Sequence, residues 1–185
     1  ADDPETLYND AQQLAASGDS PAAIEKLEAL VEISPDEAVA QNDLGVLLYQ
    51  TGQGKRAVQH YERAYRLQPE NITFAKNLAE FYYAEQGRIE EALQIYVDIL
   101  AKGPEDVETL LMTGRICDSL QRFDDARVFY ERVLEIEPWN SDAGELLETS
   151  NRTASTSAIP VTDSSPATHQ KAQNLASEGQ YQEAV

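Results

Sequence analysis

The sequence predicts an all-α protein in which antiparallel helical hairpins repeat along the chain. Four prolines recur at intervals of 34, 35 and 34 residues, and an alanine precedes each proline by twelve residues. A large apolar residue follows each alanine by four residues, the spacing of about one helical turn. These positions are Pro35, Pro69, Pro104 and Pro138; Ala23, Ala57, Ala92 and Ala126; and Leu27, Tyr61, Tyr96 and Tyr130. Proline, alanine and large apolar residues that all recur at one shared period are typical of stacked helical repeats, known as α-solenoids.

Each period has signals for two helices and a turn. Residues 44–50 and 57–67 place apolar side chains at helical spacing. Each proline ends a second helix, because its ring cannot continue one. The predicted inter-helix turns lie at Gly18, Gly52, Gly87 and Gln121. The polar residues two positions after three of the prolines suit helix N-caps, and these are Asn71, Asp106 and Asn140.

The register predicts an array over residues 1–150, with repeats near 4–37, 38–71, 72–106 and 107–140 and a capping helix near 140–150. The third repeat carries one extra residue within 84–87. Residues 151–165, rich in Ser, Thr and Pro, are predicted to be a linker. The pattern returns at 166–185, which we interpret as the start of a further, truncated repeat. Such a half hairpin is expected to dock on the array, pair with another chain, or fray.

Residues 42–49, followed by Gly52, Ala57, Tyr61 and Pro69, resemble the tetratricopeptide repeat (TPR) family. The resemblance covers residues 4–138 and implies a right-handed superhelix whose first helices line a concave groove. Two departures are Gln121, at a turn where the family has glycine, and Gln41, where it favours an aromatic residue.

The resemblance also implies which side chains face the groove and would contact a peptide or protein. They are Tyr8, Gln12, Asn42, Val46, Tyr49, Lys76, Glu80, Tyr83, Leu111 and Arg115. Asn42 is expected to bind a peptide backbone through both amide atoms. The alternative for Tyr49 and Tyr83 is packing between neighbouring helices.

Charge and residue types argue against several other functions. A formal net charge of −19, from 14 basic and 33 acidic residues, repels phosphate backbones and anionic lipid. No pattern typical of a catalytic, metal or cofactor site is present, and His60 is expected on the surface. Cys117 is the only cysteine and is expected to be a buried apolar residue rather than a reactive thiol. Trp139 is expected to pack across a hairpin junction, with an exposed partner contact as the alternative.

The sequence therefore predicts a non-catalytic scaffold for protein–protein interaction. The alternative is a targeting or substrate-recruiting arm of a larger bacterial enzyme, such as a glycosyltransferase or methyltransferase, because the repeats are similar to those of bacterial multidomain TPR proteins. Self-association through the truncated repeat is a further possibility. A cytoplasmic location is expected, with the periplasm left open.

Overall fold

The computed structural model describes residues 3–157, and its regular structure within that range is helical. The helices are α1 (Pro4–Ala16), α2 (Ser20–Ile33), α3 (Ala38–Gln50), α4 (Gly54–Leu67), α5 (Ile72–Phe81), α6 (Ile89–Lys102), α7 (Val107–Ser119), α8 (Phe123–Ile136) and α9 (Ser141–Thr156). A π-helical turn, Tyr82–Gln86, follows α5 directly. The predicted all-α fold class, with helical hairpins that repeat along the chain, is confirmed for the described residues.

The chain divides into two compact units, Ala1–Phe81 and Tyr82–Val185. Within the first unit, α1 packs on α2, and α3 packs on α2 and α4. Within the second unit, α7 packs on α6 and α8, and α9 packs on α8. The division falls inside the third predicted repeat, and the repeat boundaries themselves stay a prediction.

The four turns between first and second helices lie at the residues that the sequence pattern predicts. Gly18, Gly52 and Gly87 have φ angles of 86°, 79° and 61°, and Gln121 has a φ of 58°. Only glycine reaches this left-handed region without a Cβ penalty. Gln121 therefore adopts the glycine conformation at the cost of some backbone strain.

The extra residue of the third repeat is absorbed by the π-helical turn. In the other three turns, an N–H donates to the carbonyl five residues earlier, as Arg122 does to Cys117 at 2.8 Å. In the third turn, the Arg88 N–H donates to the Tyr82 carbonyl six residues earlier, at 3.0 Å. One wider helical turn thus restores the register of the following helix.

The predicted N-caps are present, with one change of partner. The side-chain oxygen of Asn71 accepts the N–H of Phe74 at 3.3 Å, and that of Asn140 accepts the N–H of Ala143 at 2.9 Å. Asp106 precedes α7 but accepts the hydroxyl of Thr109, at 2.8 Å, instead of a backbone N–H.

Small residues let the two helices of a hairpin approach closely. A Cβ built on Gly45 would lie 2.9 Å from the Tyr61 ring, and one on Gly114 only 2.4 Å from the Tyr130 ring. Both tyrosines are buried, and Ala57 is fully covered. The period-34 pattern of small and aromatic residues is therefore a packing pattern. Cys117 is buried as predicted, and burial raises the pKa of its thiol.

Gln41 is a buried polar residue with its hydrogen bonds satisfied. Its Nε2 donates to the Pro35 carbonyl at 2.9 Å, and its Oε1 lies 2.8 Å from His60 Nδ1. Because the amide oxygen only accepts, Nδ1 of His60 carries the proton. His60 is half-buried rather than on the surface, so that expectation is wrong. The polar departure at Gln41 is accommodated by pairing with His60.

Two further expectations are corrected at the end of the described chain. Trp139 is 78% exposed and does not pack across the junction, because it lies in the turn between α8 and α9. Helix α9 runs to Thr156, so residues 151–156 are helical rather than linker. The hydroxyls of Thr153 and Ser155 donate to carbonyls four residues earlier, which keeps them compatible with a helix. The rest of the predicted linker and the truncated repeat at 166–185 lie outside the described residues.

Candidate functional site

The candidate site in the first unit is the face shared by α1 and α3, called here the first-helix face. On α1 it presents Tyr8 and Gln12, and on α3 it presents Asp43 and Val46. These side chains lie on one face because helical residues three or four positions apart are neighbours. Predicted residues from two different repeats are therefore brought together.

A hydrogen-bonded group links the two helices at the middle of this face. The hydroxyl of Tyr8 donates to Asp43 Oδ2 at 2.9 Å, and Gln12 Nε2 donates to the Tyr8 hydroxyl at 2.7 Å. Desolvation by burial, followed by the hydrogen bond to Asp43, raises the pKa of Tyr8 to about 12. Tyr8 therefore remains a protonated donor at neutral pH, and its ring is held in one position.

Two open cavities flank Tyr8. One, of about 280 Å³, lies between α1 and α3 toward their C-terminal ends; its walls include Gln12, Leu27, Asp43 and Val46. It combines polar groups with an apolar floor, as ligand cavities commonly do.

The second cavity, of about 380 Å³, lies at the N-terminal ends of the same helices and is called here the N-terminal cleft. Its lining residues are Pro4, Glu5, Tyr8, Leu30, Glu37, Val39 and Ala40. Most of its wall is apolar. Val39 is 43% exposed.

Asn42 does not offer a free amide on this face. Its Oδ1 accepts Asn77 Nδ2 at 2.8 Å, and its Nδ2 donates to Asp43 Oδ1 at 3.3 Å. Asn42 is only 5% exposed. The amide that was expected to bind a peptide backbone instead ties α3 to α5 in this structure.

Three other predicted residues of the first unit lie at or near the solvent. Tyr49 is 38% exposed and contacts the Phe81 ring edge-on, with ring centroids 5.3 Å apart. It therefore packs between helices on one side while its other side faces solvent. Lys76 is half-buried on α5, and Glu80 is exposed.

The second unit carries the remaining predicted residues. The Tyr83 hydroxyl lies 2.7 Å from the Ser119 hydroxyl of α7. Leu111 is half-buried and Arg115 is exposed, both on α7. Near the end of that helix, the Asp118 carboxylate accepts the hydroxyls of Tyr130 and Ser150, each at 2.7 Å. Asp118 thus joins three helices of the unit.

Sequence reasoning missed Asp43 and most of the N-terminal cleft. A signal for Asp43 was available, because Tyr8 and Asp43 are separated by 35 residues, as are Asn42 and Asn77. One period plus one residue places two side chains side by side on successive first helices. Leu30 could not be found this way, since it belongs to a second helix and reaches the cleft only through packing.

Within residues 3–157, no helix is both long and apolar enough to cross a bilayer. The same range contains no group of three or more His, Cys, Asp or Glu side chains arranged to hold a metal ion.

Comparison with known proteins gives consistent matches along the chain. One family model for a tetratricopeptide repeat matches residues 8–72, and another matches residues 52–111 and 83–148. A curated relative, stress-induced-phosphoprotein 1 of Caenorhabditis elegans, is 41% identical over 51 residues. That match spans 28% of this chain and 16% of the relative, so it concerns a small part of that protein.

Solved structures extend the likeness to most of the chain. A tetratricopeptide repeat protein from Parabacteroides merdae matches 81% of this chain and 60% of its own, with a TM-score of 0.75 and 26% identity. YrrB, described as a TPR protein with an unusual peptide-binding site, matches 94% of this chain and 86% of its own. Its TM-score is 0.73 and its identity is 18%, so that likeness concerns the fold.

Proposed function

The chain belongs to the tetratricopeptide repeat family, and we propose that it is a non-catalytic scaffold that binds a peptide or protein segment on its first-helix face. The observation that carries the proposal is the pair of open cavities on either side of Tyr8. A bound segment would place one side chain in each cavity and pass over the tyrosine between them.

The arrangement of Tyr8 supports binding because it limits the ordering that binding requires. Its hydroxyl is already held by Asp43 and Gln12, so the ring loses little rotational freedom when a ligand packs on it. Tyrosine also offers a large apolar area with a polar tip, a combination enriched at binding interfaces.

Further contacts are proposed for the predicted residues that remain accessible. In the first unit these are Gln12, Val46, Tyr49 and Glu80. In the second unit, Tyr83, Leu111 and Arg115 would serve a partner in the same manner. The peptide-binding site described for YrrB, a protein of similar fold, is in keeping with this proposal.

The test begins with a displayed library of random 12-residue peptides, selected on the purified chain. The dissociation constant of each selected peptide is then measured by calorimetry for the wild type and for a variant with Gln12→Ala and Val46→Ala. We expect this variant to bind at least tenfold more weakly, because both side chains line the 280 Å³ cavity.

The matched control is Arg66→Ala with Glu70→Ala, two exposed positions at and beyond the end of α4. It should bind as the wild type does, and circular dichroism should show equal helicity for all three proteins. Equal affinity of the cavity variant and the wild type would place the site elsewhere, and a selection that yields no binding peptide would reject the proposal.

A further inference from the structure

We propose that the N-terminal cleft selects a peptide in which an aliphatic side chain is followed within two residues by Lys or Arg. This inference rests on the proposed function, since it names the chemistry of a ligand on the same face. The aliphatic group would enter the cleft, and the cation would lie at its rim.

The wall of the cleft accounts for the aliphatic anchor. Pro4, Val39 and Tyr8 line the cleft together with Leu30 and Ala40, which are each only 2% exposed. The volume of about 380 Å³ is within the roughly 300–1,000 Å³ of sites that enclose small ligands. Because Val39 remains 43% exposed, covering it with an apolar ligand group removes surface from water.

The rim of the cleft accounts for the cation. Glu5 and Glu37 line it, both exposed, and no basic side chain among residues 3–157 pairs with either. Helices α1 and α3 contain no Lys or Arg at all. A ligand that brings its own positive charge would therefore meet two carboxylates with no competing cation on these helices.

Basic residues of the second helices form ion pairs with acids that do not line the cleft. Lys26 of α2 pairs with Asp10 at 3.2 Å, and Arg56 of α4 pairs with Glu28. Arg63 of α4 pairs with Asp36, the residue directly before Glu37. Each of these three cations is thus paired with an acid other than Glu5 and Glu37.

Charge also disfavours other occupants of the cleft. A phosphorylated or acidic peptide would meet like charges at Glu5 and Glu37, which is unfavourable in a partly desolvated site. A second copy of the chain, with its net charge of −19, would be repelled for the same reason.

The test uses four capped, fluorescein-labelled 10-residue peptides that are identical in a Gly/Ser background except at two positions. The first position is Leu or Ser, and the second, two residues later, is Lys or Glu. Fluorescence anisotropy gives the affinities. We expect the Leu–Lys peptide to bind at least tenfold more tightly than the Leu–Glu and Ser–Lys peptides, with its advantage over Leu–Glu shrinking as salt is raised.

Two double variants separate the local effect from the overall charge. Glu5→Gln with Glu37→Gln should reduce the preference for Lys over Glu to less than twofold and keep the preference for Leu over Ser. The control, Glu25→Gln with Glu32→Gln, removes the same charge from exposed positions of α2 that do not line the cleft. It should keep both preferences.

The inference is overturned if Leu–Lys and Leu–Glu bind equally, if neither binds measurably, or if the two double variants lose the preference for Lys to the same extent. Each of these results leaves the proposed function standing as long as library-selected peptides still depend on Gln12 and Val46. Failure of the library selection itself rejects both.

Discussion

Replacing Gly114 with alanine should destabilise the second unit, although alanine is the better helix former. A Cβ at this position would lie 2.4 Å from Cε1 and 2.9 Å from Cδ1 and Cζ of Tyr130. Carbon atoms in contact prefer about 3.5–4.0 Å, so the ring must move by about 1 Å or more. The ring is fully buried, and its hydroxyl donates to Asp118 at 2.7 Å, so it has no free space to move into.

Three contributions set the expected magnitude. Overpacking a close-packed interior costs about 1–3 kcal/mol. Displacing the ring weakens the hydrogen bond to the Asp118 carboxylate, which is worth about 1.5–3 kcal/mol when fully lost. Against these, Gly→Ala in a helix interior gains about 1 kcal/mol. The net loss in the free energy of unfolding is about 2–4 kcal/mol, which for a chain of this size lowers Tm by about 5–15 °C.

The assay is thermal and urea unfolding followed by circular dichroism at 222 nm. Gly144→Ala is the matched control, because it lies in α9 and a Cβ there would meet nothing within 4 Å. It should gain about 0.5–1 kcal/mol from helix propensity alone. In a Tyr130→Leu background, the Gly114→Ala cost should disappear, since the ring that it displaces is gone.

A Gly114→Ala protein that melts at or above the wild-type temperature would refute the close contact between α7 and α8 as the reason for this glycine. If the cost persists unchanged in the Tyr130→Leu background, Tyr130 is not the side chain that the added Cβ displaces.

Three further experiments test the turns and the polar pairs. Gln121→Gly should stabilise the chain by about 1 kcal/mol, because Gln121 has a φ of 58° and the left-handed region costs about 1–2 kcal/mol for residues other than glycine. The midpoint of urea unfolding measures this change in stability. Gly52→Gln should lower the stability instead. Burial, with Arg56 nearby, lowers the pKa of His60. The unfolded chain therefore binds the proton more readily, and stability falls as pH drops below about 6.5. The NMR titration of His60 should have its midpoint below that of an exposed histidine, and a midpoint at or above 6.5 would contradict the burial. Tyr8→Phe should cost about 1–2 kcal/mol by removing a donor to a carboxylate, and its absorbance difference from the wild type at 295 nm should titrate near pH 12, not near 10, if the hydroxyl is held as described.

The turns illustrate how far a single sequence can specify local backbone. Glycine at three of four equivalent positions, one period apart, is enough to predict where the turns lie, and the structure adds that all four residues, including Gln121, have a positive φ. The same period predicted the burial of Cys117, because position within a repeat determines which face of the helix a residue occupies. These features depend on the spacing of residues along the chain, which can be read directly from the sequence.

The hydrogen bonds between repeats were not predictable in the same way. The resemblance predicts that Asn42 faces the groove, but whether its amide meets a ligand or Asn77 depends on how closely α3 and α5 pack. The 35-residue separation from Tyr8 is a signal for Asp43, but on an acidic chain that spacing alone does not distinguish Asp43 from the other carboxylates.

The sequence by itself determined the repeated hairpin, its turns and the side chains of its close contacts, because periodicity and backbone chemistry are local properties. Only the tertiary structure decided that Trp139 is exposed, that α9 runs to Thr156 and that two cavities flank Tyr8. The physical reason is that exposure and cavity shape depend on how separate helices pack, and residues such as Leu30 and Val39 become neighbours only when that packing is complete.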